Sequence, residues 1–136
     1  NMPKVFRMGE MYLIAAEAAA TTNPTLANKY LNELRSKRIT GYEEINYSGQ
    51  ALIQEIRNER LKELIGEGFR MSDLRRWGIG FQRNPDHPEN PAINNIIVPN
   101  GRNLSYPAGD YRLVWPIPSA EMETNPQLAG QQNPGY

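Results

Sequence analysis

Glu59, Glu63 and Glu67 recur at four-residue steps along one charged stretch of the chain. A row of carboxylates on one helix face is raw material for two kinds of chemistry. Paired carboxyl groups carry out glycoside hydrolysis, one as acid and the other as base or nucleophile. Carboxylates from facing helices also bridge metal pairs, but that use pairs them with a Glu-x-x-His motif, which this chain lacks. The interleaved arginines Arg57, Arg60 and Arg70 count against hydrolysis too. A neighbouring cation holds a carboxyl group ionised, and an ionised carboxylate has no proton to deliver. The one histidine, His87, stands in a proline-rich run without partners for a metal site or a nucleophile–base pair. The residues therefore point away from an enzyme and call for no cofactor and no metal.

The carboxylates belong to residues 52–78, LIQEIRNERLKELIGEGFRMSDLRRWG, around which the chain is organised. Residues 55–76 hold five acids and six bases, whereas the whole protein is 22% charged. Leu52, Ile53, Ile56, Leu61, Leu64 and Ile65 recur at three- and four-residue steps, the period of an α-helix face. Glu55, Asn58 and Lys62 project away from that arc, while Arg57, Arg60, Glu63 and Glu67 project into it or onto its edge. A charge that faces a core needs a partner, because its isolated burial costs several kcal/mol. The stretch thus reads as a helix carrying a polar network that specifies how it docks. The alternative is a solvated helix laced with surface ion pairs, each worth about 0–1 kcal/mol.

Other elements must position this one. Residues 5–21 read as a helix apolar nearly all round, with Arg7, Glu10 and Glu17 as its only charges, on one narrow stripe. That stripe is expected to face the arginines of the charged helix. Asn23-Pro24 signals a second helix, with Asn23 as cap and Pro24 as first residue, running to about residue 37 with Leu26, Tyr30, Leu31 and Leu34 inward. Together they form an αα-hairpin of tetratricopeptide type over residues 1–41. The charged helix spans residues 48–78, capped by Ser48 or Gly49 and broken or kinked at Gly66 and Gly68. A short helix at 71–77 follows, in which Asp73 can bridge Arg70 and Arg76.

Residues 79–114 read as a long loop rich in Pro and Asn, with strand character only at 93–98 and 111–115. Loops of that length are functional or disordered. Residues 115–136 form a wrapping tail, with a turn of helix after Ser119, that holds if Trp115, Ile117 and Leu128 pack back. The fold class is mainly α: a helix hairpin plus a long kinked helix, a loop-rich C-terminal half and at most short β-strands, as a single domain of 136 residues. Fifteen basic against fifteen acidic residues argue against nucleic-acid binding. No cysteine is present, and no apolar run approaches a membrane span.

The charged stretch resembles the late-chain signature ER-x-x-E-L-x-x-E-G-x-R-x-x-D-L-x-R-W/Y of the SusD/RagB family. It matches at Glu59, Arg60, Glu63, Leu64, Glu67, Gly68, Arg70, Asp73, Leu74, Arg76 and Trp77. FRMGEMYLIAAEA resembles that family's R-x-x-E-x-x-L-x-x-A-E-A helix, and VWPIPSAEMETNPQLAGQQNPGY its terminus. The resemblance implies the C-terminal portion of a mainly helical outer-membrane lipoprotein at the cell surface, without catalytic activity. Such a protein binds oligosaccharides or other nutrients as the lid of a TonB-dependent, SusC-like transporter. Its export signal and lipid-bearing cysteine would lie in a part of the parent not in this chain. A tetratricopeptide-like adaptor that binds a peptide is the alternative. For a sugar, the long loop offers Phe81, Tyr106 and Tyr111 as aromatic platforms, unless these merely pin the loop. The network residues Arg7, Glu10, Glu17, Arg57, Arg60, Glu63, Glu67, Arg70 and Asp73 are expected to be structural.

Overall fold

A computed structural model describes residues 7–82 and 105–136. The protein is mainly helical, with one two-stranded antiparallel sheet among the described residues. The chain groups into two compact units, Asn1–Phe69 and Arg70–Tyr136. The expected extended start at 1–4, the strand at 93–98 and His87 lie outside the described residues.

The first unit is a bundle of α1 (Met8–Ala19), α2 (Pro24–Ser36) and α3 (Gly49–Glu63). Asn23 caps α2 as its type predicts: Oδ1 accepts from the Leu26 N–H at 3.1 Å, and Pro24 fills the first helical position. The core is built from Leu13, Ala16 and Ala20 of the first helix and its end, Ala27, Leu31 and Leu34 of the second, and Leu52 and Ile56 of the third. Each leucine buried here stabilises by about 1.5–3 kcal/mol, and the alanines let the helix backbones approach. The segment from Tyr42 to Tyr47 is fastened by two buried asparagines of α2. Asn28 Nδ2 donates to the Tyr47 carbonyl at 2.9 Å while its Oδ1 accepts from the Tyr47 N–H at 2.8 Å. Asn32 Oδ1 accepts from the Tyr42 hydroxyl at 2.7 Å.

Ser48 precedes α3 without a side-chain capping bond. The charged stretch divides into two helices: α3 ends at Glu63, and the chain turns through Gly66 and Gly68, with φ of 78° and 84°. Leu61 and Ile65, expected on the inner face, are 43% and 78% exposed. Leu61 stands nine residues from Leu52, about half a turn round at 100° per residue, and Ile65 lies beyond the helix end. Glu59 falls within about 20° of the Leu52 line and is buried.

In the second unit α4 (Arg70–Trp77) closes on Gly78, whose φ is 63°. The Gly78 N–H bonds to the Arg75 carbonyl at 3.1 Å and the Ile79 N–H to that of Leu74 at 3.0 Å, a Schellman ending. Strand β1 (Phe81–Gln82) then pairs with β2 (Ser105–Tyr106), Phe81 opposite Tyr106. Residues 111–115, expected as a strand, instead begin with a 3-10 turn at Tyr111–Leu113. The cause is local: Asp110 Oδ1 accepts from the Arg112 N–H at 2.9 Å, which curls the backbone at once. A short helix, α5 (Ser119–Thr124), follows, with Pro118 rather than Ser119 at its cap position.

The tail is organised by polar clasps. Gln132 Oε1 accepts from the Ile117 N–H at 2.8 Å, and its Nε2 donates to the Ile117 carbonyl at 2.9 Å. Asn133 donates to the Trp115 carbonyl at 2.6 Å, and the Tyr136 hydroxyl to that of Val114 at 3.0 Å. The Trp115 side chain, expected to pack inward, is 89% exposed. Its backbone is what the tail grips.

Candidate functional site

Each glutamate of the 59, 63, 67 row is taken by arginine. Arg35 reaches from α2 into α3, its Nε donating to Glu59 Oε2 at 2.7 Å and its Nη2 to Glu55 Oε2 at 2.8 Å. Burial opposes the charge on Arg35, yet hydrogen bonds to Glu55 and Glu59 outweigh it and raise its pKa. Glu55 is held below the usual carboxylate range, first by its hydrogen bond from Arg35. Glu55, expected on the solvated face, is thus half-buried and paired.

Glu63 joins three elements. Arg38, just beyond α2, donates to both its oxygens at 2.9 and 2.7 Å. Arg7, at the start of α1, donates to Oε1 at 3.0 Å and to the Glu63 carbonyl at 2.6 Å. The same arginine forks onto Glu67 at 2.5 and 3.2 Å. A carboxylate at a helix C-terminus is disfavoured by the macrodipole, but this one lies over the first turn of α1. Gly9 makes the room: a Cβ there would come within 2.8 Å of Glu63 Cδ. Arg38 first, and then Arg7, lower the Glu63 pKa against the opposing effect of burial.

Of the other expected network residues, Arg60 Nη2 lies 3.9 Å from Glu10 Oε1, both side chains largely buried. The Arg60 guanidinium also sits 5.4 Å from the Phe69 ring centre. Glu17 and Arg57 are half-buried on their helices. In the second unit Asp73 is buried and accepts from Arg76 at 2.9 Å, while Arg70 stands exposed at the start of α4. These carboxylates are held by cationic side chains, an arrangement suited to fastening helices.

The three aromatic candidates lie in one row of the second unit. The Phe81 and Tyr106 ring centres are 5.2 Å apart. Arg112 lies over Tyr106 at 4.4 Å and Tyr111 at 5.3 Å. Tyr136 meets Tyr111 edge-on at 5.1 Å. Gly135 is needed here, since a Cβ would come within 2.5 Å of the Tyr111 Cγ. Asp110 clamps Arg112 in plane at 2.8 and 2.7 Å, and that hydrogen bonding lowers the Asp110 pKa to about 2. Tyr111 remains 41% exposed.

The SusD family model matches residues 1–136. The chain belongs to the SusD family. It is 33% identical over 138 residues to a SusD-like protein of Formosa agariphila, an alignment covering 97% of this chain and 24% of that relative. The chain therefore spans about a quarter of the length of the curated relative it matches. No solved structure matches it.

In this SusD-family chain, Glu59, Glu63 and Glu67 each meet an arginine from an earlier element. Two of those arginines, Arg35 and Arg38, are not among the residues expected from the sequence, and neither are Arg112 and Tyr136 in the aromatic row. Arg35 had a signal: it falls four residues after Leu31 and so shares the inner face of α2. Arg112 had one too, in the Asp-x-Arg spacing after Gly109. Tyr136 had none, because its contact with Tyr111 spans a long stretch of chain. Among the described residues no group of three or more His, Cys, Asp or Glu could hold a metal ion. None of the described helices is long and apolar enough to cross a membrane.

Proposed function

We propose that this chain is the non-catalytic, glycan-binding C-terminal portion of a nutrient-uptake protein. Its parent would work at the cell surface with a TonB-dependent, SusC-like transporter in the outer membrane, anchored by lipid through another part of the protein. Membership of the SusD family carries the reading. The row of Phe81, Tyr106, Arg112 and Tyr111 supplies the surface for it. Binding residues favour such irregular segments fixed to a scaffold. The non-catalytic part rests on the carboxylates: a glutamate held ionised by two arginines, as Glu63 is, makes a poor general acid.

Calorimetric titration of oligosaccharides into the wild-type chain and Tyr106→Ala and Tyr111→Ala variants tests the contact. Affinity that falls in the variants supports it; equal affinities remove these rings from any site. Turnover of a glycan, lost on Glu63→Gln with the fold intact, would overturn the non-catalytic reading.

One observation favours the adaptor reading: a cleft of about 490 Å³ along the hairpin, bordered by Met8, Tyr12, Glu33 and Lys37. A peptide that binds there would protect α1 and α2 amides from exchange, whereas an oligosaccharide on the aromatic row would protect residues 105–113.

A further inference from the structure

We propose that Arg7 is a latch on the glycine turn that leaves α3, and that it couples this turn to the start of α1. With the latch shut, residues 64–69 hold one path. With Arg7 withdrawn, the turn opens while the three-helix core stays closed. All the residues involved belong to the first unit.

The turn is anchored at its ends. Leu64 is buried, and the Phe69 ring centre lies 5.4 Å from the Arg60 guanidinium. Between them Ile65, Gly66, Glu67 and Gly68 are all exposed. The two glycines stand at φ of 78° and 84°, and glycine gives up more conformational freedom on ordering than any other residue. Within the turn the Glu67 N–H donates to the Leu64 carbonyl at 3.2 Å. Arg7 fastens the middle from outside. Its Nε and Nη2 donate to the two oxygens of Glu67, and Nη2 donates also to the Glu63 carbonyl. That carbonyl is one of those that a helix end leaves without an intrahelical partner.

The two carboxylates are shared unequally, and this separates a latch from a piece of the core. The Glu63 side chain is 6% exposed, and Arg38 holds both its oxygens, so it keeps a cation when Arg7 leaves. The Glu67 side chain is 38% exposed, and water can take over its charge. Withdrawal of Arg7 therefore strands no buried charge, the circumstance that makes loss of an ion pair severe. An exposed pair is weak and screened by salt, so the shut and open turns lie close in free energy. Arg7 itself stands in extended backbone just before α1, and its carbonyl accepts from the Glu10 and Met11 N–H groups. Whatever displaces Arg7 frees the turn, and by the same coupling an open turn loosens the start of α1.

The test is amide exchange read residue by residue by NMR on the whole chain, in low urea concentrations and at low and high salt. Wild type is compared with Arg7→Ala, Glu67→Gln and the double variant. The Glu67 amide should exchange by a local opening, far faster than those of Leu31 and Ile56 and without their dependence on urea. Arg7→Ala should speed it about fivefold, the upper value for an exposed pair, and Glu67→Gln by a smaller factor. Wild type should approach the variants at high salt. The double variant should exchange no faster than Arg7→Ala, because both changes remove one contact. Glu67→Gln should also speed the Glu10 and Met11 amides, since it loosens Arg7. A Glu67 amide with the protection and urea dependence of the core overturns the inference, as does an unchanged rate in either single variant or additive effects in the double. Glu10 and Met11 amides that do not respond to Glu67→Gln overturn the coupling.

Discussion

Arg35 and Glu59 meet between α2 and α3 at 2.7 Å, with side chains 6% and 7% exposed. A buried pair of this kind is weak evidence for net stability, since desolvation offsets much of the attraction. Its loss is another matter. Arg35→Ala strands Glu59 and half-buried Glu55, and is expected to destabilise by about 3–5 kcal/mol. Lys62→Ala removes a solvated lysine 3.7 Å from the same Glu59 and should stay within about 0.5 kcal/mol. Urea unfolding of both variants checks the contrast, and equal midpoints would mean that the Arg35 pair contributes nothing specific.

Gly9 and Glu63 give a test by sign reversal. Gly9→Ala drives a methyl group into the Glu63 carboxylate, which Arg7 and Arg38 hold in place. Overpacking of this kind costs about 1–3 kcal/mol. In a Glu63→Ala background the obstruction is gone, and Gly9→Ala should stabilise α1 by up to about 1 kcal/mol through helix propensity. A double-mutant cycle on thermal unfolding reads both values.

Acid stability follows from Glu63. Its folded pKa lies below its unfolded value, chiefly because of the Arg38 hydrogen bond. A depressed carboxyl contributes stability that is fully present above the unfolded pKa and lost as pH falls through the folded one. The melting temperature of wild type should therefore drop on acidification from neutral pH through the carboxylate range. Glu63→Gln should start lower and fall less steeply. Parallel curves would show that Glu63 does not titrate with folding.

Gly135→Ala probes the latch at the chain end. Gly135 has φ of 96°, and the Tyr111 ring occupies the space of its missing side chain. Alanine should separate Tyr136 from Tyr111 and release the Tyr136 hydroxyl from the Val114 carbonyl. Loss of the cross-peaks between the two rings by NMR, with α1–α3 unshifted, is the expected result.

Several features were legible in the chain without coordinates. Asn23-Pro24 specifies a helix start because cap and first-turn chemistry are local. Gly66, Gly68 and Gly78 mark helix ends because each holds a backbone angle that side chains disfavour. The mainly helical class and the family resemblance were legible for the same reason: short-range pattern carries them.

The tertiary structure decided which charges meet. Periodicity assigns a residue to a face within one helix, but the partner comes from another helix far along the chain. Glu55 looked solvated until α2 placed Arg35 beside it. Residues 111–115 have the alternation of a strand, yet they begin with a 3-10 turn because one Asp110 oxygen is in reach of the Arg112 amide. Phe81 and Tyr136 join Tyr106, Arg112 and Tyr111 in one row only because β1 pairs with β2 and the tail folds back. Local pattern gave the elements, and the long-range contacts that give the charges and rings their partners required the fold.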